Sequence, residues 1–183
     1  GSIEGDKEVG GISGCNEDNS KIRHCYSVCK INGLENVGGI SGKVVGKGNP
    51  EVKGCYHAGE IKCKSKDSCG GVLGYYGGSF KTSCFDSCYY DKDNSGDANR
   101  NSKGKDNAIG MGSKCMTKNG EPKGYDNKQF RGLNAAEMRG ADATINMVGL
   151  NEEYVAASND DGYPILSGYA KELTKYPTIA LAQ

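Results

Sequence analysis

A six-residue phrase that occurs three times in the first half of the chain limits what this sequence can fold into. It reads VGGISG at residues 9–14, VGGISG at 37–42 and CGGVLG at 69–74. A regular repeat of this kind is typical of stacked structures, in which each copy buries its apolar face only against its neighbours. The phrase therefore predicts a repeat array with a thin, shared core, which also suits an apolar fraction of only 36%.

A second phrase, in which a cysteine precedes an aromatic residue, follows each copy of the first. Its copies are His24-Cys25-Tyr26, Gly54-Cys55-Tyr56 and Ser83-Cys84-Phe85, and Cys115 continues the same spacing. Short apolar stretches separated by glycine and polar turns predict strands, and the sequence lacks the long 3.6-residue periodicity of helical repeats. The two phrases together predict an all-β fold, a parallel β-helix (β-solenoid) of three to four rungs.

The polarity of the chain changes along its length and predicts five segments. Residues 1–8 are a lead-in with a cloning remnant, 9–90 hold three repeats, 91–107 form a polar loop, 108–129 are a degenerate fourth rung, and 130–183 form a cap. In the last segment Asn134, with Glu137 three residues later, predicts a helix start, and Asp142 predicts a second helix. Strands are predicted from Tyr154 and from Tyr163. The cap is thus a small mixed α/β segment that closes the open end of the solenoid.

The repeated glycines and cysteines are predicted to be structural. Six glycines are expected at the corners of the rungs, namely Gly10, Gly11, Gly38, Gly39, Gly70 and Gly71. Four cysteines are expected to stack on successive rungs about 4.8 Å apart, namely Cys25, Cys55, Cys84 and Cys115. That spacing allows either buried free thiols or a disulfide between neighbours. We predict that the thiols are mainly free.

Charge and hydropathy exclude two classes of partner, and cysteine spacing disfavours a third. The chain has 23 basic and 23 acidic residues, so it lacks the net positive charge typical of nucleic-acid-binding domains. It contains no apolar run of about 18 residues, so no transmembrane segment is predicted. Its nine cysteines include no C-x-x-C pair of the kind that binds zinc.

The glycine phrase followed by the cysteine–aromatic phrase resembles the GLUG-motif repeats of large bacterial surface proteins. Such repeats occur in adhesins and in non-catalytic regions of bacterial metallopeptidases that cleave immunoglobulin A. Residues 133–138 (LNAAEM) and 159–166 (NDDGYPIL) look like the closing segment that often ends these arrays. The resemblance covers roughly 9–90 and 130–168. It implies a right-handed parallel β-helix on an extracellular face, without catalytic residues.

Three polar residues lie two positions after the predicted ladder cysteines. Ser27, His57 and Asp86 are the residue types of a hydrolase triad and are expected to stand above one another on adjacent rungs. The alternative is a ladder of unrelated polar residues, which the absence of a nucleophile elbow favours. Peptidase activity of the zinc-dependent kind is excluded, because His24 and His57 are the only histidines and neither lies in a His-Glu-x-x-His motif.

The start of the polar loop matches the opening of a calcium-binding loop. Asp91, Asp93 and Ser95 offer oxygen ligands at positions 1, 3 and 5, and Gly96 occupies the position of the sharp turn. Position 12 is Ser102 instead of the bidentate glutamate. The alternatives are a Ca²⁺ site and a solvated loop, and no other cofactor is expected.

The aromatic residues of the second phrase are candidates for ligand contact. Tyr26, Tyr56 and Phe85 can stack on sugar rings if they face outward, or pack in the core if they face inward. We expect a non-enzymatic module of a secreted or cell-surface bacterial protein, with adjoining domains, that serves as a stalk or adhesive surface. Its partner would be a host or cell-surface glycan or protein. The alternative is a carbohydrate-active or carbohydrate-binding β-helix domain.

Overall fold

The computed structural model describes residues 1–78, 81–99, 107–110, 112–113, 123, 126, 128–150, 152–156 and 162–175. Most of its strands pair in parallel and its helices are few, so the fold is all-β, parallel and solenoid-like, as predicted. The chain divides into two compact units, Gly1–Ala135 and Ala136–Gln183. Within the described part, every helix is too short or too polar to cross a membrane.

The first unit is built from short strands. They are β1 (Ser2–Glu4), β2 (Lys7–Gly10), β3 (Ser13–Glu17), β4 (Lys21–Arg23), β5 (Tyr26–Ser27), β6 (Lys30–Gly33), β7 (Glu35–Gly38), β8 (Ser41–Val45), β9 (Glu51–Lys53), β10 (Tyr56–His57), β11 (Ile61–Cys63), β12 (Cys69–Gly70), β13 (Leu73–Tyr76), β14 (Phe85–Asp86), β15 (Cys88–Asp91) and β16 (Phe130–Leu133). Three 3₁₀ helices interrupt them, at Lys66–Ser68, Thr82–Cys84 and Gly96–Asn99.

Each strand pairs with the equivalent strand of the neighbouring copy. The five parallel sheets have the orders β1-β6-β11, β2-β7-β12, β3-β8-β13, β4-β9-β14 and β5-β10-β15-β16. The register places like residues side by side, as with Val9 beside Val37 and Ile22 beside Val52. Because each copy satisfies the backbone hydrogen bonds of the next, the period of the sequence becomes the period of the structure.

The predicted lead-in, 1–8, belongs to the sheets. Ser2 lies beside Lys30 and Ile3 beside Ile31 in the β1–β6 pair, and Lys7 lies beside Glu35 in the β2–β7 pair. The ordered layers therefore begin before residue 9, where the first repeat was predicted to start. The alternation of polar and apolar residues in 1–8 is too brief to have predicted a strand.

The second glycine of each phrase is required by a side chain that lies against it. A Cβ on the glycine would lie 2.8 Å or less from that side chain in three pairs, Gly11–Ser27, Gly39–His57 and Gly71–Tyr90. Real Cβ atoms essentially never approach another atom so closely. A larger residue in this position would therefore displace the strand that carries the opposing side chain.

The first and third glycines of the phrase lie against the backbone of adjacent copies. A Cβ on Gly38 would lie 2.5 Å from the nitrogen of Gly74, and one on Gly42 would lie 2.4 Å from the nitrogen of Val9. None of the six glycines predicted at corners has a left-handed backbone. Gly11, Gly39 and Gly71 nevertheless lie at bends between consecutive strands, as predicted for corners, whereas Gly10, Gly38 and Gly70 are the last residues of strands. These glycines also allow close approach of layers.

Left-handed corners occur at other positions, and these also recur. The residues that precede the valine of the phrase, Glu8 and Asn36, have φ of 56° and 54°. Three more corners lie directly before a cysteine, at His24, Gly54 and Ser87. Only one of these five residues is a glycine, so composition could not have marked the corners.

Inward-facing apolar residues fill the space between the sheets. Ile40 and Val72 are fully buried, whereas the equivalent residue of the first copy, Ile12, is 42% exposed. The difference follows from the sheet order, because β2, β3, β4 and β5 are edge strands with a neighbour on one side only.

The predicted fourth rung, 108–129, lies partly outside the described residues. Its first part pairs with the third phrase: Leu73 forms a parallel bridge with Ile109, and Val72 N–H donates to the Ala108 oxygen at 2.8 Å. Cys115 lies outside the described residues. The strand next to β15 is β16, which places Phe130 beside Cys88.

The second unit mixes short helices with an antiparallel strand pair. A 3₁₀ helix at Ala135–Met138 leads into it, α1 spans Ala143–Asn146, and α2 spans Ser167–Lys175. Between the α-helices, β17 (Tyr154–Val155) pairs with β18 (Ile165–Leu166). The strand predicted from Tyr163 is thus shorter than expected and runs into α2.

Candidate functional site

The third copy enters the sheets in a different register from the predicted one. Phe85 lies beside Val52, and Tyr89 lies beside Tyr56. The equivalent of Cys55 is therefore Cys88 and not Cys84. The prediction followed the regular spacing of the cysteines, whereas the Cys-Tyr dipeptide at positions 88–89 was the better signal.

The predicted triad is not assembled. Ser27 lies beside His57, but the next residue in that column is Tyr90, while Asp86 lies beside Lys53 in another sheet. Ser27 and His57 are 4% and 0% exposed. A substrate therefore cannot reach the serine, and we conclude that these residues form no nucleophilic site.

Ser27, His57 and Tyr90 form an inward column that packs on the glycine phrase. The His57 Nε2 atom lies 2.9 Å from the oxygen of Gly59, to which it can donate a hydrogen bond. Burial lowers the pKa of His57 to about 4, against smaller opposing contributions from the Gly59 and Ser27 backbone. His57 is thus a neutral packing residue at physiological pH, and its titration affects folding instead of catalysis.

The cysteine column consists of Cys25, Cys55 and Cys88. Tyr56 N–H donates to the Cys25 oxygen at 3.2 Å, and Tyr89 N–H donates to the Cys55 oxygen at 2.9 Å. All three are free thiols, as is Cys84. Free thiols at Cys25, Cys55 and Cys84 agree with the prediction, although Cys84 does not stand in the column.

The thiols of the cysteine column differ in their acidity. A hydrogen bond from Cys55 lowers the pKa of Cys25 to about 6, whereas the same bond and burial raise the pKa of Cys55. Burial raises the pKa of Cys88 to about 12. The half-buried Cys25 is therefore the thiol of this column that ionises near neutral pH.

A disulfide joins Cys63 to Cys69 across the Lys66–Ser68 helix. It closes the link at 64–68, which is longer than the link at 34–36 between the paired positions Gly33 and Val37 of the previous copy. Sequence reasoning missed this bridge. The signal was that neither cysteine recurs in the other copies, so their role is local to this longer link.

The predicted aromatic ligand contacts are mostly buried. Tyr56 and Phe85 are 0% and 1% exposed, and the Phe85 ring packs against Tyr76 and Phe130. Tyr26 is half-buried and stacks on Tyr56 with ring centroids 5.2 Å apart. Stacking of a sugar on Tyr56 or Phe85 is therefore excluded by their burial.

The acidic loop uses its carboxylates to order its own backbone. The carboxylate of the fully buried Asp91 accepts hydrogen bonds from Asp93 N–H at 2.9 Å and Asn94 N–H at 3.1 Å. Ser95 Oγ donates to the backbone oxygen of Asp91. Asp93 accepts from Ala135 N–H at 2.8 Å. These contacts are those of a side chain that caps a turn. Because Asp91 and Ser95 are fully buried, the start of the loop is not solvated, as the alternative to a calcium site had it.

Replacing Asp91 by alanine is expected to lower the free energy of unfolding by about 3 kcal/mol, because the Asp93 and Asn94 amides and the Asn94 side chain lose their charged acceptor. Asp93→Ala, which removes one exposed contact, should cost about 1 kcal/mol. Urea denaturation measures both. Equal effects of the two substitutions, or a clear rise of wild-type Tm on addition of Ca²⁺, would contradict this role for the loop.

A cleft of about 500 Å³ opens on the outer face of the first unit. Its described lining includes Glu35, Asn36, Lys43, Asp67 and Tyr75. Lys43 lies beside Tyr75 in the β8–β13 pair and donates to Glu8 at 2.6 Å. The cleft thus combines one aromatic face with amide, carboxylate and ammonium groups, which suits a polar, hydroxyl-rich ligand.

The described residues contain no cluster of three or more His, Cys, Asp or Glu side chains able to hold a metal ion. Comparison with models of protein families, with curated proteins and with solved structures finds no match for the chain. The function proposed below therefore rests on geometry and on the sequence resemblance.

Proposed function

We propose that the chain is a non-enzymatic repeat module of a secreted or cell-surface bacterial protein, in which it serves as a stalk or adhesive surface. Its copies would form a right-handed parallel β-helix of three to four rungs, flanked by further domains. The observation that carries the proposal is the continuity of five parallel sheets through successive copies. Ladders of backbone hydrogen bonds along one direction make a stiff support.

Two further features support this role. Side chains and glycine backbone fill the interior between the sheets, so rigidity is gained without a central channel. The Cys63–Cys69 disulfide supports a location outside the cytoplasm, because such bonds persist in oxidising compartments.

Surface location can be tested with an antibody raised against the purified chain. It should label intact cells that express the parent polypeptide, and protease added to those cells should abolish the labelling. Labelling that appears only after permeabilisation would overturn the proposal.

The cleft favours carbohydrate as the ligand of an adhesive surface. Tyr75 offers a ring face for stacking on a sugar, and the Asn36 amide and the Asp67 carboxylate lie in the same cleft. Sugar sites combine such an aromatic platform with directional hydrogen-bonding groups. The aromatic residue proposed to stack on the sugar is thus Tyr75, and not the predicted Tyr56 or Phe85.

Binding to immobilised glycans is expected to fall at least about tenfold in Tyr75→Ala, which corresponds to about 1.4 kcal/mol. Tyr169→Ala, in α2 of the second unit, is the matched control and should bind as the wild type does. The carbohydrate candidate fails if no glycan binds the wild type, or if both variants bind equally well. The stalk role would remain in that case.

A further inference from the structure

We propose that Cys25 and Cys55 form a thiol–disulfide exchange site that takes low-molecular-weight disulfides, such as oxidised glutathione, as substrates. Cys25 is the nucleophile and Cys55 is the resolving thiol. The site is independent of the stalk or adhesive role.

The first element of the site is the direct juxtaposition of the two thiols. Tyr26 and Tyr56 are register partners, so the cysteines that precede them face each other across the β5–β10 pair. Neighbouring strands lie about 4.8 Å apart, which falls within the Cα separation that a disulfide accepts. The backbone contact between the two strands at this point is direct, because Tyr56 N–H donates to the Cys25 oxygen at 3.2 Å.

The second element is a difference in access. Cys55 and Cys88 are 0% and 1% exposed, whereas Cys25 is half-buried. Cys25 is accessible because it directly precedes β5, an edge strand whose neighbour among the described strands is β10. A dissolved disulfide can therefore reach Cys25 but not the thiols behind it.

The third element is the position of the proton. The neighbouring Cys55 lowers the pKa of Cys25 to about 6, whereas Cys25 and burial raise the pKa of Cys55. The thiolate is the form that attacks a disulfide. At pH 7 the accessible member of the pair is thus mainly ionised, while the buried member retains its proton.

The exchange proceeds in two balanced steps. The Cys25 thiolate attacks one sulfur of the substrate RSSR and breaks the substrate S–S bond. The products of this step are a mixed disulfide, Cys25–SR, and a first thiolate, RS⁻. Cys55 then gives its proton to the first RS⁻ and attacks the Cys25 sulfur of the mixed disulfide. This attack forms the Cys25–Cys55 disulfide and expels the second RS⁻, which takes a proton from water. The two cysteines lose two electrons together, and the substrate gains them as two thiols.

Cys15 provides an internal control for this site. It is also free and half-buried, but its neighbours are carboxylates. Burial, a hydrogen bond to Glu17 and the charge of Glu8 raise its pKa. Accessible thiols of this chain thus differ in whether a second thiol activates them.

The test is incubation of the full chain with oxidised glutathione at pH 7, followed by alkylation and peptide mass spectrometry. The wild type should form the Cys25–Cys55 disulfide at least about tenfold faster than Cys15 acquires glutathione. Cys55→Ser should stop at the mixed disulfide on Cys25, and Cys25→Ser should leave Cys55 unmodified. Cys15→Ser should behave as the wild type does.

Three results would overturn the proposal: no reaction of wild-type Cys25, a mixed disulfide on wild-type Cys25 that persists, or modification of Cys15 at the rate of Cys25. The rate of wild-type oxidation should also rise with pH around a midpoint near 6. This last measurement needs no variant, so it decides the question even if a substitution prevents folding.

Discussion

Replacing Gly39 by alanine is expected to lower the free energy of unfolding by about 4 kcal/mol or more. The added Cβ would lie 2.5 Å from the Cβ and Cγ atoms of His57 and still closer to the backbone oxygen of Gly71. The second contact is with backbone, so a change of rotamer cannot relieve it. Two adjacent copies would have to separate, which weakens hydrogen bonds such as Ile40 N–H to the Val72 oxygen at 2.9 Å.

Gly112→Ala is the matched control in the same unit, because the nearest atom to its added Cβ is the Asp67 oxygen at an ordinary 3.5 Å. Its urea midpoint should stay close to that of the wild type, whereas Gly39→Ala should unfold at much lower urea. The steric role of the phrase would be refuted by equal midpoints for the two variants.

A second steric contact of the phrase can be tested through compensation. The three atoms nearest to a Cβ on Gly71 all belong to the Tyr90 ring. Tyr90→Ser removes the ring to which these three atoms belong. Gly71→Ala should therefore cost less in the Tyr90→Ser background than in the wild type, and the coupling energy of the double-mutant cycle measures this relief.

The class of fold was predictable because periodicity survives local variation. The spacing of the glycine phrase depends on the length of chain that each layer needs, and Gly10, Gly38 and Gly70 keep it within a few residues. Their detailed role was not predictable. A glycine serves equally well at a left-handed corner or at a close approach, and only the neighbouring layer decides between them.

The register of the third copy could not be derived from spacing. Alignment of Cys84 with Cys55 requires the third copy to be shorter than the second between its glycine phrase and its cysteine. In the structure, the stretch from Tyr76 to Phe85 is instead longer than the stretch between their partners, Val44 and Val52. Turns of either length differ little in free energy. The turn nonetheless fixes the position of every later residue of the copy. For this reason Cys84 does not lie in the predicted column with Cys25 and Cys55.

The candidate sites could likewise be predicted only in part from the sequence. Ser27 and His57 were correctly expected to be neighbours, yet the sequence does not reveal that they face the glycine layer and not solvent. The acidity of Cys25 depends on a partner in the next copy and on the sheet edge. Such properties come from stacking, and residue type alone cannot indicate them.

Acid is expected to destabilise the fold through His57. In the folded chain the pKa of His57 is lowered from 6.5 to about 4. Between these values the unfolded chain binds a proton and the folded chain does not, so the contribution to stability is complete above pH 6.5 and is lost as pH falls to 4. The lowered pKa corresponds to about 3 kcal/mol, a large share of the stability of a small domain.

His57→Gln isolates this contribution. The glutamine amide can keep a hydrogen bond to the Gly59 oxygen but does not titrate, while all carboxylates remain common to both chains. The free energy of unfolding of the wild type minus that of the variant should fall by about 3 kcal/mol between pH 6.5 and 4. A difference that stays constant over this interval would show that His57 binds a proton equally well in the folded and unfolded chains, and the packing of its neutral ring on Gly39 would have to be abandoned.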